Sequence, residues 1–365
     1  MDAKDFFRIH KKELDKKIEF QQRIDNLDDE SIDDLIQEIK SEHCSDKEAL
    51  RVTLYMIRKG SFAHPKSIFL YLRVIDEIAD SIKRFFTGDE LALIFRFISN
   101  KLIFLKLYKL GAIEFESVFK MIKSFHSNLS YIEPLIYFYP EIKKNSYNIY
   151  LNARSIINKE VIHSLCKDNE EIKCESDKTD DIFNTNSSNN DDTQSQIYLC
   201  DDQNIESEFI KCREMGKSKD LLANTIRNDD VEEFQSILAK TNTSVNECVK
   251  YSIFEQCNIV SKRRSQKTLR FIEYAAFFGS MKVFKFLLNT AELTEKVAKN
   301  AVKGGNYEII HLCEYYKINF SPKCLTLAIR FHRNEIVDYL IENHSLNLDI
   351  ANTIASIQYY NWEII

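Results

Sequence analysis

IEYAAFFGSMKVFKFLL, residues 272–288, decides the fold. A small pair, Ala275-Ala276, precedes Gly279, and Val283, Phe286 and Leu287 follow it at helical spacing. The same layout returns in AKNAVKGGNYEIIHLC (298–313), with Ala301, Val302, Gly305, Ile309 and Leu312, and in LTLAIRFHRNEIVDYLI (325–341), with Ala328, Ile329, His332, Ile336 and Leu340. IASIQYYNWEII (354–365) supplies Ser356, Ile357 and Tyr360, and LANTIRNDDVEEFQSILAK (222–240) is a poorer copy centred on Asp230. The reference positions 279, 305, 332 and 360 lie 26, 27 and 28 residues apart. Small residues let a second helix approach the first, and its apolar face then covers them. Such a helix-turn-helix cannot bury its face alone, so the units must stack. The spacing predicts antiparallel pairs over 272–289, 298–314, 324–342 and 350–365. Ala275, Ala276, Gly279, Ala301, Gly305 and Ala328 carry the repeat. The chain stops within the last unit, which leaves the stack without an obvious polar cap.

The run Ile272 to Ser280 resembles the core of an ankyrin repeat. Ser252 to Glu255, Ile329 to Ile336 and Tyr359 to Trp362 support the likeness. The period is shorter than the usual one of about 33, and the TPLH-type opening is missing. The chain is similar in this to the large trichomonad-type protozoan ankyrin families, whose repeat region contains a domain of unknown function. The resemblance covers residues 219–365. It implies an ankyrin-like stack and protein binding, and it brings no catalytic residues and no known substrate. The gap between Asp230 and Gly279 is too long for one step, so an insert or a hidden degenerate unit lies there.

Composition agrees with helices. Gly (7) and Pro (4) are scarce in 365 residues, which argues against turn-rich sandwiches, barrels and propellers. Residues 1–167 read as an all-helical bundle or solenoid. Asp46 caps one helix that Gly60 closes. Pro65 opens another that carries Ile68, Leu72, Ile75, Ile78 and Ile82 on one face and ends at Gly88. Asp89 caps a third that runs to Gly111. Residues 168–208 hold 13 acidic and 2 basic residues, are rich in Asn and Ser, and read as an acidic disordered linker. The ankyrin-like domain is then 209–365, and the fold class is all-α. The net charge of −6 is thus an average over an acidic centre and mildly basic flanks.

No chemistry stands out. Gly216-Lys217-Ser218 lacks the earlier glycine of a phosphate loop, because position 211 is Lys. His163, Cys166, Cys174 and Cys200 are too scattered for a zinc site. Lys262-Arg263-Arg264, with Lys267 and Arg270, reads as a solvated corner or a nuclear import signal. His64, His126 and Glu133 suggest no triad by spacing. No signal peptide is visible, charges interrupt the greasiest run (91–110), and the nine Cys form no CxxC pair, so a cytoplasmic chain is expected. Asn186-Ser187-Ser188 would then not be glycosylated. No metal, cofactor, small-molecule substrate, membrane or nucleic acid is expected.

The functional hint is the column before the reference glycine: Phe278, Gly304, Phe331 and Tyr359, with Arg330 beside it. In ankyrin-like stacks this end of the first helix borders the concave face. These rings either anchor a partner protein or lie buried between units. The expectation is a non-enzymatic protein-interaction scaffold. The rivals are a self-assembling repeat protein, whose open end stacks on another copy, and an enzyme sited in the N-terminal half.

Overall fold

The computed structural model describes residues 3–124, 132–165, 202–255 and 269–364. They form 21 α-helices and short 3-10 and π turns. Among the described residues there is no strand, only one isolated bridge between Cys248 and Arg270. No described helix is long and apolar enough to cross a membrane.

The N-terminal half runs α1 (Ala3–Asp25), α2 (Ile32–Glu38), α3 (Lys47–Ala63), α4 (Ile68–Glu77), α5 (Ala79–Phe85), α6 (Gly88–Ile94), α7 (Lys101–Lys109), α8 (Phe115–Ser124), α9 (Ile132–Tyr137), α10 (Tyr139–Asn145) and α11 (Tyr147–Ser164). The Asp46 carboxylate accepts from the Ala49 amide and caps α3 as expected. Three expected bounds shift. α3 continues past Gly60 to Ala63. The helix expected after Pro65 breaks at Ile78 into α4 and α5. The helix expected from Asp89 to Gly111 starts at Gly88, in a capping box between Thr87 and Glu90, and is interrupted between Ile94 and Lys101. Ile68, Ile75, Ile78 and Ile82 are buried all the same, with Leu72 partly so, because both segments face one core.

α12 (Gln203–Met215) follows, so residues 203–208 are helix and not linker: Asp202 caps the helix and Ile205, Phe209 and Cys212 bury into the first core. The rest of the expected linker, 168–201, lies outside the described residues. Ile253 and Phe254 join the same core. Buried ions fix this return. Arg213, 1% exposed, makes a two-pronged pair with Glu141 at 2.7 Å and donates to the Tyr137 carbonyl. Lys101, fully buried, donates to the carbonyls of Ile253 and Glu255 at 2.8 Å and pairs with Glu133. The expected boundary at 208/209 therefore does not separate two cores.

The repeats are α13 (Leu221–Arg227) with α14 (Val231–Thr241), α15 (Phe271–Phe278) with α16 (Met281–Leu288), α17 (Glu295–Gly304) with α18 (Tyr307–Tyr315), and α19 (Pro322–Arg330) with α20 (Asn334–His344). α21 (Ile350–Tyr359) and a 3-10 turn (Trp362–Ile364) make the last unit. The first helices pack in series, α13 on α15, α15 on α17, α17 on α19 and α19 on α21. Ala275, Ala276, Ala301 and Ala328 are wholly buried between them. Gly279, Gly305, His332 and Tyr360 all end their helices with positive φ, at 68°, 75°, 51° and 58°. The earlier copy shifts by one residue: Asp229, not Asp230, takes this conformation at 54°, and its carboxylate accepts from the amides of Lys282 and Val283. The described parts of the insert, 243–255 and 269–270, hold no helix.

Two of the repeat glycines have different causes. Gly279 needs its left-handed backbone, a region where any Cβ is disfavoured. Gly304 is helical, but a Cβ there would lie 2.5 Å from the Phe277 carbonyl oxygen and 2.7 Å from that of Ala276. Gly304→Ala should therefore cost more than Gly279→Ala. We expect about 1–3 kcal/mol for the first and about 1 kcal/mol for the second. Thermal melts of the two variants check the order; equal losses would mean that the α15–α17 approach is looser than the geometry says.

Candidate functional site

The aromatic column faces the chain's own α3. Phe62, near the C-terminal end of α3, sits in the repeat core. Its ring lies 5.3 Å from that of Phe331 and 6.4 Å from that of Tyr359. The Arg330 guanidinium stands 5.1 Å from the Phe62 ring and 4.9 Å from the Tyr359 ring. Lys59, one turn earlier on α3, lies 4.4 Å over Tyr359 and donates to the Gln358 carbonyl at 2.7 Å. Phe331 is 1% exposed, and Phe278 and Tyr359 are partly buried. Phe331 and Tyr359 are thus not a free surface: α3 of the N-terminal half covers them. The burial expected between units is real for Phe331, but the covering residue comes from another part of the chain. Gly304 fills the column's remaining place for the steric reason given above.

Beside these rings lies a polar clamp. Asp25 closes α1, His64 caps α3, and His332 and Arg333 join α19 to α20. Asp25 and His332 Nδ1 are 2.7 Å apart, and Gln21 also reaches that nitrogen. His332 Nε2 meets the Tyr359 carbonyl at 2.9 Å. Arg333 donates to the Ala63 carbonyl at 3.1 Å, to the Lys303 carbonyl at 3.1 Å and to His64 Nδ1 at 2.8 Å.

The charges follow from these contacts. Burial would raise the Asp25 pKa, but its pairing with His332, aided by His64 and Gln21, holds it below the usual value. Burial would lower His332, yet Asp25 and the Tyr359 carbonyl raise it above its usual value. His64 has burial and then Arg333 against its charge, and falls to about 3. It therefore stays neutral and accepts from Arg333. Burial brings Arg333 down to about 10, still charged at neutral pH.

None of these residues lines either of the two clefts described. The side chains bond one another, except that Asp25 Oδ1 meets no donor among the described residues and lies 3.9 Å from His64 Nε2. The arrangement joins the N-terminal half to the repeats. Of the residues weighed for an enzyme, His64 is in this joint and Glu133 pairs with Lys101 elsewhere. His126 lies outside the described residues. So do Cys166, Cys174, Cys200, the glycosylation-like Asn186-Ser187-Ser188 and the basic run from Lys262 to Lys267, and nothing is described of the His163 side chain. Arg270 pairs with Glu273 and Glu292. Among the described residues no three His, Cys, Asp or Glu gather as a metal site requires.

Sequence reasoning missed the clamp. The available signal was His332 itself, a bulky residue standing where the two preceding units place glycine. That substitution holds only where other contacts fix the backbone.

A second surface lies on α21. Ile357 occupies the register of Ala276, Val302 and Ile329, which are wholly buried in their own units. Ile357 is 59% exposed, and Ile350 and Ile354 beside it on the helix are 80% and 57% exposed. Asn352, Ala355 and Ser356 on the other side of α21 are buried toward α19.

Residues 288–365 match a protein family described as Domain of unknown function (DUF3447). No curated protein matches the chain, and no solved structure does.

Two outcomes follow. Phe331→Ala should cost roughly 3–5 kcal/mol, as a ring lost from a core does. A denaturant titration reads this directly, and a loss near zero would show the ring exposed. For pH, unfolded His64 takes a proton below about 6.5 while folded His64 stays neutral down to about 3. Its contribution is full above that unfolded value and declines as pH falls between the two, by at most about 1.4 kcal/mol per pH unit. His332 runs the other way: its contribution is full below about 6.5 and is lost as pH rises through its raised pKa. Melts across this range should show a shallower acid slope in His64→Gln than in the wild type. Identical slopes would remove His64 from the account.

Proposed function

We propose that this chain is a non-enzymatic protein-interaction scaffold built on an ankyrin-like stack. The observation that carries the reading is the apolar stripe Ile350, Ile354 and Ile357 on α21. Water-facing isoleucines at successive turns mark a surface that another protein covers. Each earlier first helix receives the next unit through this same register, so the chemistry suited to the stripe is a second amphipathic helix layer. The aromatic column Phe278, Phe331 and Tyr359, with Arg330, then serves internal docking. The partner surface moves from the column to the exposed face of α21.

A second reading, self-association, has the same stripe in its favour, because two copies could cover each other there. Size-exclusion chromatography with light scattering, run over a range of concentrations, separates the two readings. A mass that rises with concentration supports self-association. A constant monomer that captures protein from native lysate supports a scaffold. In both cases Ile354→Glu with Ile357→Glu should abolish the association. Both side chains are exposed, so the change should cost within about 0.5 kcal/mol each. A folded double variant that associates like the wild type would sink the reading of this surface.

A further inference from the structure

Between α3, the turn after α6 and the ends of α19 and α21 lies a cleft of about 330 Å³. Four cations line it: Arg58, Lys59, Arg96 and Arg330. No carboxylate does. Among the described residues, none of the four makes an ion pair: Lys59 bonds only a neutral carbonyl, and Arg330 rests on rings. The walls are aromatic. Tyr55 and Tyr360 stack with centroids 5.4 Å apart, and Phe62 and Tyr359 hold the Arg330 side. Asn100, wholly buried, also lines the cleft, and its Oδ1 meets no donor among the described residues.

Gathering four basic groups here works against keeping all of them charged. Burial, then its cationic neighbours Arg58, Arg330 and Arg96, brings Lys59 down to about 7. Burial, then Arg96, lowers Arg58. Two other buried cations are paired with carboxylates, Arg213 with Glu141 and Arg227 with Glu255. Unpaired charge of one sign gathered in a cleft focuses the field and concentrates counter-charged ligands there. Guanidinium groups suit phosphate in particular, because their forked donors match its oxygens.

We infer that the cleft binds a compact anion carrying two or more phosphate groups, and that the anion ties the N-terminal half to the last two units of the stack. The inference is independent of the α21 stripe. Arg58, Lys59 and Arg96 come from the N-terminal half and Arg330 from the stack, so a bound anion bridges them. Asn100 Oδ1 is left to accept from a ligand hydroxyl. Two sources share this chemistry: an inorganic polyphosphate, and the phosphate chain of a nucleotide, whose base could also lie on the tyrosines.

Isothermal titration of the full chain at low salt tests this, with sodium tripolyphosphate, with adenosine triphosphate, and with sulfate as the singly centred control. The first two should bind one per chain and weaken as salt rises. Sulfate should bind more weakly. Tighter binding of the nucleotide than of tripolyphosphate assigns the rings a part, and equal binding assigns recognition to phosphate alone. Arg96 is exposed, so Arg96→Gln should leave the melt unchanged and weaken binding about tenfold. Arg330→Gln should weaken it as well. Binding should also take up a proton between pH 7 and 8, as Lys59, about 7 when free, gains its charge beside the anion. Buffers of different ionisation heat read that uptake. No binding of either polyphosphate at millimolar concentration would overturn the inference. Binding that survives both substitutions unchanged would overturn it too.

Discussion

Arg333 holds the two halves to each other. Its guanidinium donates to the Ala63 carbonyl at the end of α3, to the Lys303 carbonyl in the neighbouring repeat and to the His64 ring. One side chain thus satisfies a helix end in the N-terminal half and a helix end in the stack. A buried charge with these acceptors is tolerable; the same charge without them costs several kcal/mol. Since Ala63 and His64 come only from the N-terminal half, the α19–α20 corner depends on α3 being in place. Phe62 follows from the same placement, because a helix held at Ala63 puts the preceding ring against Phe331 and Tyr359.

This constraint changes what the repeat face does. A stack of these repeats that stood alone would present Phe331 and Tyr359 to a partner. Here α3 lies against them, and Lys59 and Arg330 sit over the Tyr359 ring. Rings suited to anchoring a partner are as well suited to anchoring another part of the same chain. The difference is the entropy of association, which an intramolecular contact avoids.

What was legible in the sequence was local. The positions 279, 305, 332 and 360 came from spacing alone, and all four adopt the left-handed backbone, because ending a helix there is settled within a few residues. The buried alanines were legible for the same reason. The breaks at Ile78 and after Ile94 were not, since no glycine or proline marks them and tertiary packing sets them. The placement of Gln203–Met215 was also hidden. Its first residues share the acidic composition of the segment before them, and only Phe209 and Cys212, meeting a core built far away in sequence, show that it folds. The site was hidden in the same way: apolar periodicity names the side chains that seek cover but not what covers them.

Two hydrophobic cores would ordinarily suggest two folding units. The polar contacts argue for one. Lys101 and Arg213 carry buried charge from the N-terminal half into 202–255, and Arg227 with Glu255 and Tyr274 carries it on into the first repeats. Arg333 and His332 close the path at the other end by returning to His64 and Asp25. Each of these groups would be left buried and unpaired if one half opened while the other stayed folded. Ordinary apolar contacts can be lost in part, but these cannot be halved without exposing a costly charge. The ion pairs therefore contribute less to total stability than to making the halves fold and unfold together, and that coupling is what keeps the repeat face covered.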